Sequence, residues 1–192
     1  MGQRSQIYVR INADKKVLVA RYFNWNYGER MISRSRYTIE WLKKHSRYGI
    51  KTLIMNEYIK MLIHIIETNF DMKDVVLSAD ITEEYNEYFK DDCVEFNDYV
   101  FKQQHNNDGK LLIDVCENEI KYAFLDWAAS PNSIMNGEAY MKWNSENWEN
   151  SPYTTKRAKD ACKRNIKYIS KHAKLMTKDE VEDFLNYKYQ TI

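Results

Sequence analysis

In SQIYVRI (5–11), Ile7, Val9 and Ile11 fall on one side and Gln6, Tyr8 and Arg10 on the other. That period of two is the mark of a half-buried strand. NADKK (12–16) reads as a turn, and VLVARYFNW (17–25), rich in β-branched and aromatic residues, as a second strand. The pair predicts an N-terminal hairpin. The period then lengthens: Asn26 with Glu29 has capping-box spacing, and a helix to about His45 sets Ile32, Ile39 and Leu42 on one side. A loop, SRYGIK (46–51), precedes a second helix from about Thr52 to Asn69, whose apolar face is Leu53, Ile59, Leu62, Ile63 and Ile66.

The middle is less regular. MKDVVLSADI (72–81) suggests a short strand and EEYNEYFKD (83–91) a short helix. DYVFKQQ (98–104), the turn NNDG (106–109), KLLIDVC (110–116) and EIKYAFLD (119–126) predict a three-stranded antiparallel meander, with Asp108-Gly109 as its hairpin signal. Residues 127–152 are irregular, with a helix from about Glu138. Helices are predicted over 154–175 and 177–189, the second opened by Thr177 with Glu180 in capping-box spacing. The expected fold is α+β: an antiparallel sheet of about five strands, helices on one face and a helical C-terminus. Residues 1–150 would form the core and 151–192 a helical pair packed on it, as one domain overall.

An apolar fraction of 44% supports a packed core rather than a disordered chain. Two prolines and five glycines leave no flexible linker. No apolar run reaches the roughly 20 residues of a membrane span. The start, MGQRSQIYVR, lacks the apolar stretch of a signal peptide. Cys93, Cys116 and Cys162 are odd in number and far apart, as reduced thiols would be. The expectation is a soluble, cytoplasmic protein without a membrane partner.

The net charge of +1 conceals segregation. Residues 1–60 carry 13 Lys/Arg against 4 Asp/Glu, residues 61–150 carry 6 against 19, and residues 151–192 carry 10 against 5. Such segments either attract each other within the fold or make steering fields for a partner. On the helix 154–175, Lys156, Lys159, Lys163, Arg164, Lys167, Lys171 and Lys174 share one arc, opposite Ala158, Ala161, Cys162, Ile166, Ile169, Ala173 and Met176. That spacing suits a nucleic-acid backbone, an acidic partner, or plain solvent. The band from Glu67 to Asp98 holds 11 acids and only Lys73 and Lys90, with Tyr85, Tyr88, Phe89, Phe96 and Tyr99 interleaved. It either imitates a nucleic-acid backbone or is a solvated surface.

The corner YFNWNYGERMISR (22–34) combines a helix start with aromatics and cations. Free N–H groups there favour an anion, Gly28 permits close approach, and Arg30 and Arg34 lie four apart. Tyr22 and Trp25 offer faces for a base. Against this, Glu29 repels an anion, and a structural turn with Trp25 in the core explains the same residues. Catalytic signatures are absent: no phosphate-cradling glycine loop occurs, and the four histidines stand alone, so no metal or cofactor is expected. Cys116, His105 and the acids of 91–98 are the nameable candidates for an enzyme.

Met1-Gly2-Gln3-Arg4-Ser5, a strand, a turn and then Tyr22…Trp25-Asn26-Tyr27-Gly28 resemble the start of small phage and prophage accessory proteins. Among these is the anti-defence sponge that sequesters the cyclic ADP-ribose signal of Thoeris immunity. The resemblance covers residues 1 to about 30 of 192 and departs where Tyr27 separates Asn26 from Gly28. It implies a non-enzymatic anti-defence role and Arg4, Trp25, Asn26 and Gly28 as corner residues. As a sponge, a homo-oligomer would hold a nucleotide on Trp25 and Tyr22 with Arg4 and Arg30 on its phosphates. The charged, tyrosine-rich remainder also fits the profile of anti-CRISPR inhibitors, which occupy a nuclease's nucleic-acid channel. An intracellular hydrolase or nuclease of unrecognised family is the alternative.

Overall fold

The computed structural model describes residues 3–12, 16–45, 52–75, 78–90, 94–103 and 107–189. The expected hairpin forms: β1 (Arg4–Asn12) and β2 (Lys16–Asn24) pair antiparallel, with Val9 opposite Val19. There follow α1 (Glu29–His45), α2 (Thr52–Glu67), the small pair β3 (Thr68–Asn69) and β4 (Asp74–Val75), β5 (Ser78–Asp80), α3 (Ile81–Tyr88) and α4 (Phe96–Asp98). The chain continues through β6 (Lys110–Val115), β7 (Ile120–Leu125), α5 (Gly137–Asn144), α6 (Lys156–His172), β8 (Lys174–Leu175) and α7 (Lys178–Asn186). The loop 46–51 and the turn residues 13–15 fall outside the described residues.

The class is α+β, but the sheet is mixed and six-stranded, in the order β5-β2-β1-β6-β7-β8. β1 enters its centre and pairs with β6 in parallel, Gln6 opposite Lys110 and Ile11 opposite Val115. The expected meander is therefore reduced to the hairpin β6–β7, because β1 takes the edge that DYVFKQQ would have filled. That segment is helical instead: α4 runs into a π-helical stretch, Tyr99–Gln103. Its apolar run Tyr99-Val100-Phe101 does not alternate, and all three bury together, with the Tyr8 hydroxyl donating to the Val100 carbonyl at 2.6 Å. Short apolar runs of this kind do not distinguish strand from helix.

Helices cover both faces of the sheet, not one. Ile7, Val9 and Ile11 join Leu111, Ile113, Tyr122 and Phe124 beneath α1, α2, α5 and α6. Tyr8, Ala20, Leu112, Ala123 and Leu125 meet Ile81, Tyr99, Phe101 and Phe184 on the other side. Burial of each large apolar side chain contributes roughly 1.5–3 kcal/mol. The polar alternates of β1 are buried too. Arg10 is held by Asp114 at 2.7 Å and Asp183 at 2.9 Å, and its guanidinium lies over the Phe184 ring.

The last third is tied to the same layers. Thr155 caps α6, accepting from the Ala158 N–H at 3.3 Å, and the helix stops at His172 rather than 175. Lys174 and Leu175 then pair with β7 in parallel. Thr177 and Glu180 form the expected capping box at the start of α7.

Candidate functional site

The opening corner is a structural knot. Trp25 adopts a left-handed conformation (φ 61°) as its N–H donates to the Gln3 carbonyl at 2.6 Å. Asn26 then turns inward: its Nδ2 donates to Ser5 Oγ at 3.0 Å and its Oδ1 accepts from Arg34 Nε at 3.1 Å. The helix starts at Glu29, with the Gly28 carbonyl accepting its first bond from Ile32, so Asn26 is not its cap. Gly28 has φ +50°, and an added Cβ would sit 3.2 Å from Asn144 Oδ1.

Arg34 is fully buried, donates to the carbonyls of Ile66 and Glu67 and lies over the Phe23 ring. It closes the C-terminal end of α2, where helix carbonyls need donors, and so does not face an external anion. Arg30 approaches the Trp25 carbonyl at 3.4 Å and the Tyr27 ring. The Arg4 N–H donates to Asn107 Oδ1 and Asp108 Oδ2, while its Nε is buried with no hydrogen-bond partner among the described residues. Tyr22 leans onto the opposite sheet face from Phe23; burial raises its hydroxyl pKa, Arg4 lowers it and Glu84 raises it. Asn26 and Arg34 thus meet in the core, and Trp25 is left 57% exposed rather than buried. Trp127 and Trp143 are exposed at this same sheet end, where β2 and β7 stop and β6 begins.

The basic arc of α6 does face solvent. Lys156, Lys163, Arg164, Lys167, Lys171 and, beyond the helix, Lys174 are exposed, while Lys159 folds back to the Ser151 carbonyl. Among the described residues the arc makes a single ion pair, Lys163 with Glu149 at 3.5 Å. The acidic band is partly internal: Glu67 and Asp80 both hold Arg21, and Asp80 also caps α3. Glu83, Glu87 and Glu95 remain exposed. Of the enzyme candidates, His105, Asp91 and Asp92 lie outside the described residues. Cys116 places its Sγ 3.7 Å from Asp114 Oδ2. Cys162 is buried, which pushes its thiol up to about 12. Among the described residues no group of three or more His, Cys, Asp or Glu is arranged to hold a metal, and no helix is long and apolar enough to cross a membrane.

A cavity of about 620 Å³ opens at the other end of the sheet, where α1, the β6–β7 turn and α6 all finish. Lys43, Lys171, His172 and Lys174 line it, with Cys116, Asn118 and Ser170. Glu117 and Glu119 are also present, but Glu119 is held by Lys121 at 2.9 Å. Lys43 Nζ lies 2.7 Å from His172 Nδ1. An ammonium only donates, so Nδ1 accepts and the imidazole proton sits on Nε2, a further donor. Burial, then the charges of Lys43 and Lys171, lower the His172 pKa. The cavity lies within the size range of small-ligand sites, and its walls are rich in cations and donors. Lys171 and Lys174 belong to the arc read from the sequence; Lys43, Asn118 and His172 do not. The only signal for Lys43 and His172 was the basic last turns KKH and SKH, which helix-terminus electrostatics explain equally well, and Asn118 had none.

No family model matches the chain, and neither does any curated protein or solved structure.

Proposed function

We propose that this chain is a non-enzymatic binding protein that sequesters a phosphate-bearing nucleotide in the basic cavity. One observation carries this: Lys43, Lys171, Lys174 and His172 converge on a single recess of about 620 Å³ from two helix ends and a strand. Clustered ammonium groups, an imidazole N–H, the Ser170 hydroxyl and the Asn118 amide supply the donors that phosphate oxygens need. The opening corner supports a ligand less well, since Asn26 and Arg34 serve each other and the end of α2.

The N-terminal resemblance supplies the context: a phage or mobile element would use such a protein in the host cytosol against a nucleotide-signalling immune system. Lys43→Glu and Lys171→Glu should each weaken nucleotide binding at least tenfold by calorimetry, while Trp25→Ala and Arg30→Glu leave it within about twofold. The reverse pattern would return the site to the corner.

A thiol hydrolase is the second reading, favoured by Cys116 and His172 sharing the cavity wall. Against it, His172 Nδ1 is engaged by Lys43. Mass spectrometry of the bound nucleotide separates the two: sequestration returns it intact, whereas cleavage that stops in Cys116→Ala establishes the enzyme.

A further inference from the structure

We infer that the ligand is an oligonucleotide, its phosphodiester chain laid along the seam between α1 and α6 with one end in the basic cavity. The inference rests on the nucleotide reading of that cavity and extends it.

Three recesses follow the seam. One of about 350 Å³ lies at its start, between Ser33 of α1 and Arg157 and Arg164 of α6. One of about 390 Å³ lies between Lys43 and Lys44 of α1 and Tyr168 and His172 of α6. The cavity of about 620 Å³ completes the row and shares Lys43 and His172 with the second recess. Early residues of α1 meet early residues of α6 and late meet late, so the helices run side by side in one direction.

Arg157, Arg164 and Lys171 recur every seven residues. Seven residues are almost two helical turns, so the three cations form one line about 21 Å long, with Arg157 and Arg164 bordering the first recess and Lys171 the last. All three are exposed, and none has an ion-pair partner among the described residues. Across the seam, Arg36 lies over the Tyr37 and Tyr168 rings, and Phe70, 40% exposed, packs on Tyr37 with ring centroids 4.8 Å apart. An exposed ring such as Phe70 beside a line of cations is what single-stranded nucleic acid uses, stacking a base on the ring and its phosphates on the cations.

Acids are present but largely occupied. Glu40 is bound by Arg36 and Lys44, and Asp71 accepts from Asn165 and Tyr37. Glu29 lines the first recess, and Asp160 is exposed on α6. An acidic protein partner is less well served, because interfaces need buried apolar anchors and the exposed arc of α6 between Lys156 and Lys171 is cationic or polar throughout.

The test uses the full chain and a homopolymer series from the single nucleotide upward, with affinity measured by fluorescence anisotropy over a range of salt. Wild type should bind longer oligomers progressively more tightly until the seam is filled. Its plot of log K against log salt should steepen by about 1.4 relative to the mononucleotide, the slope expected when Arg157 and Arg164 neutralise two further phosphates of a single strand. The surface variant Arg157→Glu/Arg164→Glu should lose that gain and the added slope, at least tenfold in affinity, while keeping mononucleotide binding and its melting temperature. Equal affinity for all lengths would overturn the seam and leave the cavity standing. Oligomer binding without mononucleotide binding would support the seam and remove the cavity as anchor. Polyglutamate competing as well as an oligonucleotide of equal charge would overturn the assignment to nucleic acid.

Discussion

Arg34, within α1, and His172, at the end of α6, are both basic residues, and their surroundings give them opposite fates. Arg34 sits in the core with its donors on Asn26 and the last carbonyls of α2. Arg34→Met should therefore lower stability by about 3 kcal/mol in urea unfolding, because it strands buried acceptors. His172 stays at the cavity wall, where burial and two lysines disfavour its charged form. A bound phosphate reverses that balance, so binding takes up a proton. Affinity should rise as pH falls through the pKa of the bound state towards that of the free protein, and His172→Gln should flatten the profile. Calorimetry in two buffers of different ionisation enthalpy measures the proton count.

Lys110 gives a stability test. It is fully buried, its Nζ donates to the Trp127 carbonyl at 2.7 Å, and burial lowers its pKa from 10.5 to about 8. Between those values the unfolded chain binds the proton more than the folded one, so this group adds stability as pH rises from about 8 and none is gained below it. The wild type should gain on Lys110→Met with rising pH, by an amount on the order of 3 kcal/mol across the window. Parallel stability curves for the two proteins would show Lys110 to be ordinarily charged.

At the scale of elements, local chemistry was legible and long-range pairing was not. The β1–β2 hairpin follows from alternation, and the α7 start from Thr177 and Glu180, whose reciprocal bonds the structure contains. Thr177→Ala should cost about 1 kcal/mol in denaturant unfolding, as caps of this kind do. The parallel union of β1 with β6 spans about a hundred residues, and no property of either strand names the partner. β8 is two residues long and closes on β7 through the Met176 N–H and the Tyr122 carbonyl, contacts that have no local pattern. For the site, the cations of α6 were legible by helical period. Their meeting with Lys43 was not, because it depends on α1 and α6 packing side by side.

Across the molecule, the two ends of the sheet differ in chemistry. One carries Trp25, Trp127 and Trp143, exposed beside Arg4 and Arg30; the other carries the basic cavity, with no tryptophan in its lining. A nucleotide bound in the cavity should leave the exposed tryptophans as open to acrylamide quenching as before. Protection of those tryptophans would place the ligand at the corner. The charge segregation along the chain is only partly consumed inside it, through Arg21 with Glu67 and Asp80, and Arg10 with Asp114 and Asp183. The cations along α6 remain turned outward, in position to steer an anion towards the cavity in a salt-dependent way.

The most direct test is native mass spectrometry of the intact protein mixed with a panel of linear and cyclic nucleotides, alongside Lys43→Glu/Lys171→Glu. The wild type should retain a nucleotide of unaltered mass, and the variant, equally folded by circular dichroism, should retain none. A wild type that binds nothing, or a variant that binds as well as the wild type, would contradict the assignment of the cavity.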